Sequence, residues 1–175
     1  MLKEYRSELF DVSDTSVLGN QKGDITIVEF FDYNCSYCKV AAQNIRNLIR
    51  DDGNIKFIPR EWPILNSVSV LASKAAIASI KQNKYKEFHW KLMDEKSLSE
   101  DKIISLADDL DIDLIQLEDD MNSEFVNGHI EKSTLLAKKI GFSGTPFFII
   151  EDEFIPGYVP IEEMKAIISK IRKNR

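Results

Sequence analysis

The hydrophobic pattern of the first third of the chain predicts a strand, a helix and a second strand. Residues 25–33 are apolar almost without interruption, as in a central strand buried on both faces. A helix is predicted from Ser36 to about Arg50, where two aspartates and a glycine follow. The next strand, residues 54–60, is expected to be closed by Pro59. The short connections suit a parallel β-α-β unit.

A long helical block is predicted from residue 66 to about residue 140. Its apolar residues recur at helical spacing in three stripes: Val68, Leu71, Ala72 and Ala75; Ile103, Ile104, Ala107 and Leu110; and Val126, Ile130 and Ala137. Either Ser97 or Ser99 can cap the second of these helices, and Ser97 has the capping-box spacing to Glu100. Gly141 occupies the position expected just after a helix end.

Two short strands and a last helix complete the pattern. The segments "PFFII" and "EFIPG" flank an acidic turn and predict a hairpin, and a helix is predicted to begin near Pro160. This order of elements indicates an α/β fold with an all-helical insertion. We expect a helix end and linker at residues 1–23, one domain built from residues 24–64 and 141–175, and the helical insertion domain at residues 65–140.

Length and charge exclude several classes of function. A chain of 175 residues forms one domain, or one domain with an insertion. Its net charge is −6 and it has no basic stripe, so we expect no nucleic-acid partner. No apolar run approaches the roughly 20 residues that span a bilayer. No secretory signal peptide is recognisable, and we expect a mature chain from which one has been removed.

The two cysteines of the chain, Cys35 and Cys38, lie between the first strand and its helix with C-x-x-C spacing. Such a pair can form a redox disulfide, supply half of a metal site, or remain as inert thiols. As a redox pair, Cys35 would lie at the helix N-terminus, where the dipole and unpaired N–H groups lower its pKa and make it the nucleophile. Cys38, one turn later and more buried, can then resolve a mixed disulfide. Ser36 and Tyr37 tune the thiolate without adding a charge.

The alternative to a redox enzyme is a protein that uses the two cysteines to bind a metal. Structural zinc needs four ligands, and the chain has no second cysteine pair and only two histidines, His89 and His129, both far along the helical block. Two thiolates can still hold a soft ion, so a copper-binding module stays an alternative. The redox interpretation is favoured, with no resident metal. We interpret His89 and Trp62 as packing residues, and His129 as a helix-surface or packing residue.

Two further features fit the redox interpretation. Glu29 interrupts the apolar run of the first strand, and a buried carboxylate there is costly unless it is paired or protonated. It is either a structural acid paired with a lysine or, as we favour, an acid of raised pKa that relays the proton of Cys38. Thr145 and Pro146 open a strand of the hairpin; the redox motif favours a cis bond there, with the backbone of Thr145 available to a substrate strand.

Together, "VEFFDYNCSYCK" and "GTPFF" resemble the motifs of the thioredoxin superfamily, and within it the DsbA-like family of bacterial envelope disulfide oxidoreductases. The segments "VLGNQKGD", "EWPIL", "KYKEFHWKLM" and "IPGYVP" are similar to the ScsC-like subgroup. The resemblance covers nearly the whole chain. It implies a thioredoxin fold with an inserted helical domain, and no cofactor besides a redox-active Cys35–Cys38 disulfide.

The resemblance also implies roles for single residues. It makes Cys35 the exposed nucleophile, Cys38 the resolving thiol, Glu29 the buried acid, Pro146 the cis-proline beside the disulfide and Thr145 the residue before it. The implied partners are unfolded or misoxidised secreted proteins and a membrane redox partner of the DsbB or DsbD type. The implied compartment is the periplasm.

The reaction expected from the resemblance is disulfide isomerisation. Tyr37 before the second cysteine and Thr145 before the proline look like the isomerases DsbC and DsbG, whereas typical DsbA oxidases have Pro-His between the cysteines. Isomerases of the ScsC-like subgroup form oligomers through an N-terminal stalk, and the predicted helix at residues 2–10 is similar to the end of one. We therefore expect a homo-oligomeric isomerase when a stalk precedes this chain, with a monomeric dithiol oxidase as the alternative.

Overall fold

The computed structural model describes residues 2–13 and 15–175, so Met1 and Asp14 of the predicted N-terminal segment lie outside the described residues. Strands and helices alternate in the first part of the chain, helices fill the middle, and a hairpin and a helix end it, as the sequence predicts. The strands are β1 (Leu18–Gly19), β2 (Ile25–Phe31), β3 (Ile55–Glu61), β4 (Phe147–Ile150) and β5 (Glu153–Pro156). The α-helices are α1 (Leu2–Leu9), α2 (Ser36–Asp51), α3 (Ser67–Ala78), α4 (Tyr85–Asp94), α5 (Glu100–Asp108), α6 (Leu114–Met121), α7 (Glu124–Ile140) and α8 (Ile161–Lys173), and a 3-10 turn, Ser79–Gln82, follows α3.

One sheet contains all five described strands, in the order β1-β3-β2-β4-β5. β2 and β3 are parallel and are joined through α2, and the other neighbours are antiparallel. β2 lies at the centre because both of its faces are apolar. Ile27 and Phe31 belong to the larger core, shared with α2 and the helical block, whereas Val28 and Phe30 belong to a smaller core against α7. This alternation places Glu29 on the α2 side of the sheet.

The observed end of β3 contradicts the prediction that Pro59 closes this strand. β3 continues to Glu61, and Pro59 lies opposite Glu29 in the parallel ladder. The carbonyl of Pro59 accepts a hydrogen bond from Thr15 Oγ1 at 3.0 Å, so its nitrogen faces the same edge. β1 pairs only with residues 56 and 57 on that edge, and a missing N–H at position 59 therefore breaks no strand ladder.

β1 falls in the segment that the sequence predicts to be a loop. This strand has only two residues, too few for an alternating pattern to be recognised. Gly19 makes the pairing possible, because its φ is +79° and a Cβ there would lie 2.5 Å from the carbonyl oxygen of Ile55. The predicted strand at residues 25–33 is also shorter than expected, since β2 ends at Phe31.

The N-terminal helix α1 is anchored to the body by a buried arginine. Arg60, on β3, is fully buried, and its guanidinium donates to the carbonyl oxygens of Glu8 at 3.1 Å and Asp11 at 2.5 Å. A cation is favourable there because the carbonyls at the end of a helix carry partial negative charge. Leu9 is fully buried in the smaller core with Leu136 of α7.

The structure confirms one predicted helix cap and decides between two candidate residues for another. Gly141 follows α7 with a φ of +85°, as expected for a helix C-terminal cap. Ser99, and not Ser97, caps α5, and its Oγ accepts the N–H of Lys102 at 3.2 Å. No helix among residues 2–13 and 15–175 has both the length and the hydropathy of a membrane span.

Candidate active site

The two cysteines lie at the first turn of α2, at the carboxyl end of the central strand. Cys35 is the N-cap residue, and its Sγ accepts the N–H of Cys38 at 3.4 Å. The N–H of Cys35 in turn donates to the carbonyl oxygen of Asp32 at 3.0 Å. Both thiols are free, and Cys35 keeps 8% of its surface exposed whereas Cys38 keeps none. Cys35 is thus less exposed than the resemblance implies, although it is the member of the pair that reaches the surface.

The surroundings displace the two thiol pKa values in opposite directions. A hydrogen bond from the Cys38 thiol is the largest influence on Cys35, and with the backbone N–H groups of the first helical turn it outweighs burial and lowers the pKa of Cys35 to about 6. Burial raises the pKa of Cys38, and the nearby Glu29 carboxylate raises it further. At neutral pH this pair therefore holds its negative charge on Cys35.

Glu29 lies fully within the core on the same side of the sheet as the cysteines. Burial raises the pKa of this carboxyl group well above its usual value, and the charge of Cys35 adds to the effect. Its Oε1 has no hydrogen-bond partner among the residues that the structure describes. The position across from it in β3 is Pro59, so the neighbouring strand offers it no lysine. Of the two interpretations of Glu29, these surroundings favour the protonated acid.

The predicted Thr145–Pro146 element lies against Cys35. The peptide bond between these residues is cis. The carbonyl oxygen of Thr145 accepts the Cys35 thiol at 3.5 Å, and the carbonyl oxygen of Pro146 accepts the N–H of Gly157 at 2.9 Å. Thr145, Pro146 and the cysteines, which are more than 100 residues apart in the sequence, therefore form one site.

Comparison with known proteins identifies the family. The profile of the DSBA-like thioredoxin domain matches residues 26–169. The chain belongs to this family. A solved thioredoxin-like oxidoreductase from Silicibacter pomeroyi is 41% identical with a TM-score of 0.92, over 96% of this chain and 98% of that one. The thiol-disulfide exchange protein alpha-DsbA2 from Wolbachia pipientis is 30% identical with a TM-score of 0.90, over 97% of this chain and 93% of that one. The fold is thus thioredoxin-like, and the family to which the chain belongs is one of thiol–disulfide oxidoreductases.

More distant relatives differ in length. Disulfide bond formation protein D of Bacillus subtilis is 28% identical over 91% of this chain and 78% of its own. The chain spans only 24% of the length of a Na(+)/H(+) antiporter NhaA of Salinispora tropica, to which it is 26% identical over 87% of its own residues. The catalytic domain of Proteus mirabilis ScsC has the same fold, with a TM-score of 0.89 at 23% identity over 97% of this chain and 95% of that domain.

A buried aspartate that sequence reasoning missed joins the cysteine turn of the DsbA-like site to the loop after β3. The Asp32 carboxylate follows β2 directly and is fully buried. One oxygen accepts the N–H of Asn34 at 2.8 Å and the hydroxyl of Ser69 at 2.7 Å. The other accepts the N–H groups of Ile64 at 2.9 Å and Leu65 at 3.0 Å. An acid directly after a buried strand was the available sequence signal, but three of its four hydrogen-bond partners come from the loop after β3 and from α3.

Exposed apolar side chains flank the cysteines in this DsbA-like chain. Tyr37 and Val40, on the first turns of α2, are exposed, and so is Ser36. Tyr158, after β5, lies beside Tyr37 with ring centroids 6.3 Å apart. Ile64 and Leu65 lie on the loop that Asp32 holds. Trp62, by contrast, is buried in the smaller core, as predicted for a packing residue.

A second buried polar cluster lies beneath the DsbA-like site, on the same side of the sheet. Tyr33 Oη lies 2.9 Å from His89 Nδ1, Tyr85 donates to Glu61 Oε1 at 2.6 Å, and His129 Nε2 lies 2.7 Å from Glu61 Oε2. His129 is buried, so the alternative that places it on a helix surface is wrong; helical periodicity alone does not reveal an acid on a neighbouring strand. Burial raises the pKa of Glu61, but the contacts with His129 and Tyr85 outweigh it and the net displacement is downward.

Among residues 2–13 and 15–175, no group of three or more His, Cys, Asp and Glu side chains is arranged to hold a metal ion. Within the described part of the chain, the soft-metal alternative would therefore rely on the two sulfurs.

Proposed function

We propose that this chain catalyses dithiol–disulfide exchange with the cysteines of secreted proteins through Cys35 and Cys38. The observation that carries the proposal is the position of Cys35 at the N-cap of α2, where its Sγ accepts the N–H of Cys38 at 3.4 Å and keeps some exposure while Cys38 is fully buried. In these surroundings the pKa of Cys35 is lowered to about 6 and that of Cys38 is raised. A thiolate at the surface and a protonated thiol beneath it support a division of roles between an outer nucleophile and an inner resolving group.

In the oxidising direction, a substrate thiolate attacks Cys35 Sγ of the Cys35–Cys38 disulfide. The sulfur–sulfur bond breaks, and its electron pair goes to Cys38 Sγ, which takes up a proton because its pKa is raised. A second substrate thiolate then attacks the substrate sulfur of the mixed disulfide, and Cys35 leaves as a thiolate. The substrate loses two electrons and the cysteine pair gains them. The low pKa of Cys35 favours this departure.

Glu29 is the proposed source of the proton for Cys38. Burial raises the pKa of its carboxyl group well above the usual value, which favours the protonated acid, and in its ionised form the group raises the pKa of the Cys38 thiol. After transfer, Glu29 regains a proton from solvent. In the reverse direction, the Glu29 carboxylate accepts the proton of Cys38 as this thiol attacks a mixed disulfide.

The residues around the cysteines have proposed roles in binding and tuning. The Thr145 carbonyl lies 3.5 Å from Cys35 Sγ, which supports a role for the Thr145–Pro146 segment in aligning an extended substrate strand. Ser36 and Tyr37 are exposed between the two sulfurs and adjust access and thiolate stability without a charge of their own.

The direction of the reaction depends on assembly. A thiolate that is stable when reduced makes the disulfide form a good oxidant, and this favours net oxidation by a single copy. The same thiolate can attack wrong disulfides, and Tyr37 and Thr145 support isomerisation. We propose isomerisation as the activity of a homo-oligomer formed through a segment before α1, and oxidation as the activity of a monomer. The proposed compartment is the periplasm, with a membrane redox partner of the DsbB or DsbD type.

Two assays test this proposal with the chain as it is. Oxidised protein is mixed with reduced, unfolded ribonuclease, and reduced protein is mixed with scrambled ribonuclease; regain of ribonuclease activity is followed in both. We expect efficient oxidation and weak unscrambling. Cys35→Ser should abolish both activities, with Leu135→Ser on the exposed face of α7 as the control variant. Efficient unscrambling by a monomer would refute the proposal that isomerisation depends on assembly. Copper in the purified protein, together with a lack of exchange activity, would favour a copper-binding module over an enzyme.

A further inference from the structure

The cysteine turn, residues 32–35, is bound to the helical block, residues 66–140, by three consecutive side chains. These side chains follow β2 directly, and each makes a hydrogen bond to a residue of that block. The pairs are Asp32 with Ser69 at 2.7 Å, Tyr33 with His89 at 2.9 Å, and Asn34 with Asn66 at 3.3 Å. Because the turn ends at the N-cap of α2, the position of the nucleophile depends on residues of the helical block.

Asn34 joins the cysteine turn to two separate segments of that block. Its Oδ1 accepts the N–H of Leu98, between α4 and α5, at 3.1 Å, while its Nδ2 donates to Asn66 Oδ1. A backbone N–H can only donate, so Leu98 fixes the orientation of the Asn34 amide. The orientation of Asn66 is fixed in the same way, because its Oδ1 accepts the N–H of Ser69 at 2.8 Å as the N-cap of α3. The two segments lie 32 and 64 residues from Asn34 in the sequence.

The stability of the Cys35 thiolate depends on where this turn holds the sulfur. The N–H and the thiol of Cys38 both donate to Cys35 Sγ, and the N–H lies 3.4 Å from it. A hydrogen bond weakens as its distance and angle depart from the optimum. A shift of the backbone at position 34 would move Sγ relative to both donors, and the negative charge would then be less stabilised.

We propose that Asn34 is a positioning residue for Cys35, which holds the sulfur against its donors by joining the cysteine turn to the helical block. The proposal rests on the proposed exchange function and deepens it, because it gives the helical block a part in holding the nucleophile. The turn does not need the Asn34 side chain for its own N–H groups. Those of Asn34 and Cys35 are bound by the Asp32 carboxylate at 2.8 Å and the Asp32 carbonyl at 3.0 Å. The Asn34 amide is therefore free to bind distant segments instead of its own turn.

The test follows two quantities from pH 5 to pH 8.5: the midpoint of the Cys35 thiolate absorbance, and the equilibrium constant for reduction of the disulfide by glutathione. In Asn34→Ala we expect the midpoint to rise by about one pH unit from its value of about 6, as for a weakened hydrogen bond to an ionised group. Only the ionised form gains from the donors. The equilibrium constant should therefore match that of wild type near pH 5 and be about fivefold lower at pH 7.

Asn66→Ser removes the contact with Asn34 but keeps a cap for α3, because serine is also a preferred N-cap residue and is too short to reach Asn34. We expect a smaller rise of the midpoint in this variant. The double variant Asn34→Ala/Asn66→Ser should shift no further than Asn34→Ala, since both changes remove the same contact. Asn127→Ala is the matched control. It removes an exposed asparagine side chain that donates to the Asn122 carbonyl at 3.3 Å, and should leave the midpoint unchanged.

The outcomes separate this proposal from the proposed function. If the wild-type cysteine pair does not exchange with glutathione, the proposed function fails, and the positioning role fails with it. If wild type exchanges but Asn34→Ala keeps the wild-type midpoint, only the positioning role is overturned. An equilibrium constant that falls by the same factor at every pH would also overturn it, because such a change does not act on the thiolate. Should Asn34→Ala not fold, an unchanged midpoint in Asn66→Ser refutes the role.

Discussion

The redox potential of the Cys35–Cys38 pair should change its dependence on pH near pH 6. Reduction of a disulfide takes up two protons while both thiols are protonated, and each proton shifts a two-electron potential by about 30 mV per pH unit. Below the pKa of Cys35, which is about 6, the potential should therefore fall by about 59 mV per pH unit. Above it, Cys35 stays ionised and only Cys38 takes up a proton, so the slope should halve to about 30 mV.

The shift of the redox potential at neutral pH follows from the same lowering of the Cys35 pKa. The pKa of Cys35 is lowered from 9.0 to about 6, and the thiolate of the reduced protein is stabilised accordingly. At pH 7 an ordinary thiol is still protonated. The lowered pKa therefore stabilises the reduced protein at this pH by about 1.4 kcal/mol, which makes the disulfide a stronger oxidant by about 30 mV. The stabilisation is complete above pH 9 and is lost as the pH falls through 6, because the pKa of the folded state is the lower one.

The assay is equilibration with glutathione buffers from pH 5 to pH 8.5, with the fraction of reduced protein read after acid quenching. Thiolate absorbance of Cys35, titrated in the same samples, should have its midpoint at the break. Glu29→Gln is the control variant, because it removes the other group whose protonation can respond to the redox state, and the break should remain in it. A straight line of about 59 mV per pH unit up to pH 8.5 would refute the assignment of the thiolate to Cys35.

Three further changes have expected outcomes in urea unfolding. In oxidised wild-type protein, the free energy of unfolding should fall by up to about 1.4 kcal/mol per pH unit above pH 4.5, because a carboxyl with a raised pKa stabilises the fold below its unfolded pKa and ceases to do so as the pH rises through its folded pKa. Glu29→Gln should not show this fall, and parallel curves for both proteins would contradict the prediction. Gly19→Ala should cost about 2 kcal/mol or more through its positive φ and the Ile55 carbonyl, whereas Gly53→Ala, with open space around it, should cost less than about 1 kcal/mol; equal losses would count against the close approach. Arg60→Met should cost about 2 to 4 kcal/mol by leaving carbonyls at the end of α1 unpaired, with early hydrogen exchange in α1, and unchanged protection there would oppose the anchoring role.

The chain carried enough local information to predict most of its fold and the core of its site. Apolar runs and helical stripes predict β2, β3, the hairpin and the helices. Burial of one face of an element imposes a regular spacing on its apolar residues, and this spacing can be read from the sequence. The C-x-x-C spacing places both cysteines on one helical turn, and this required no knowledge of distant residues. Glu29 stood out because a carboxylate in an apolar strand needs an explanation wherever the rest of the chain lies.

The remaining features depend on partners that are distant in the sequence. β1 has two residues and exists because Gly19 can approach β3, and Pro59 is tolerated because β1 stops short of it. Only the folded chain brings Glu61 and His129 to 2.7 Å, and only it gives Asp32 the N–H groups of a loop 32 residues away. The direction of each pKa shift likewise depends on burial and on neighbours. Sequence therefore determined which residues form each element and which carry the chemistry. The tertiary structure decided their charge states and contacts, because electrostatic and hydrogen-bond energies depend on distance in space rather than along the chain.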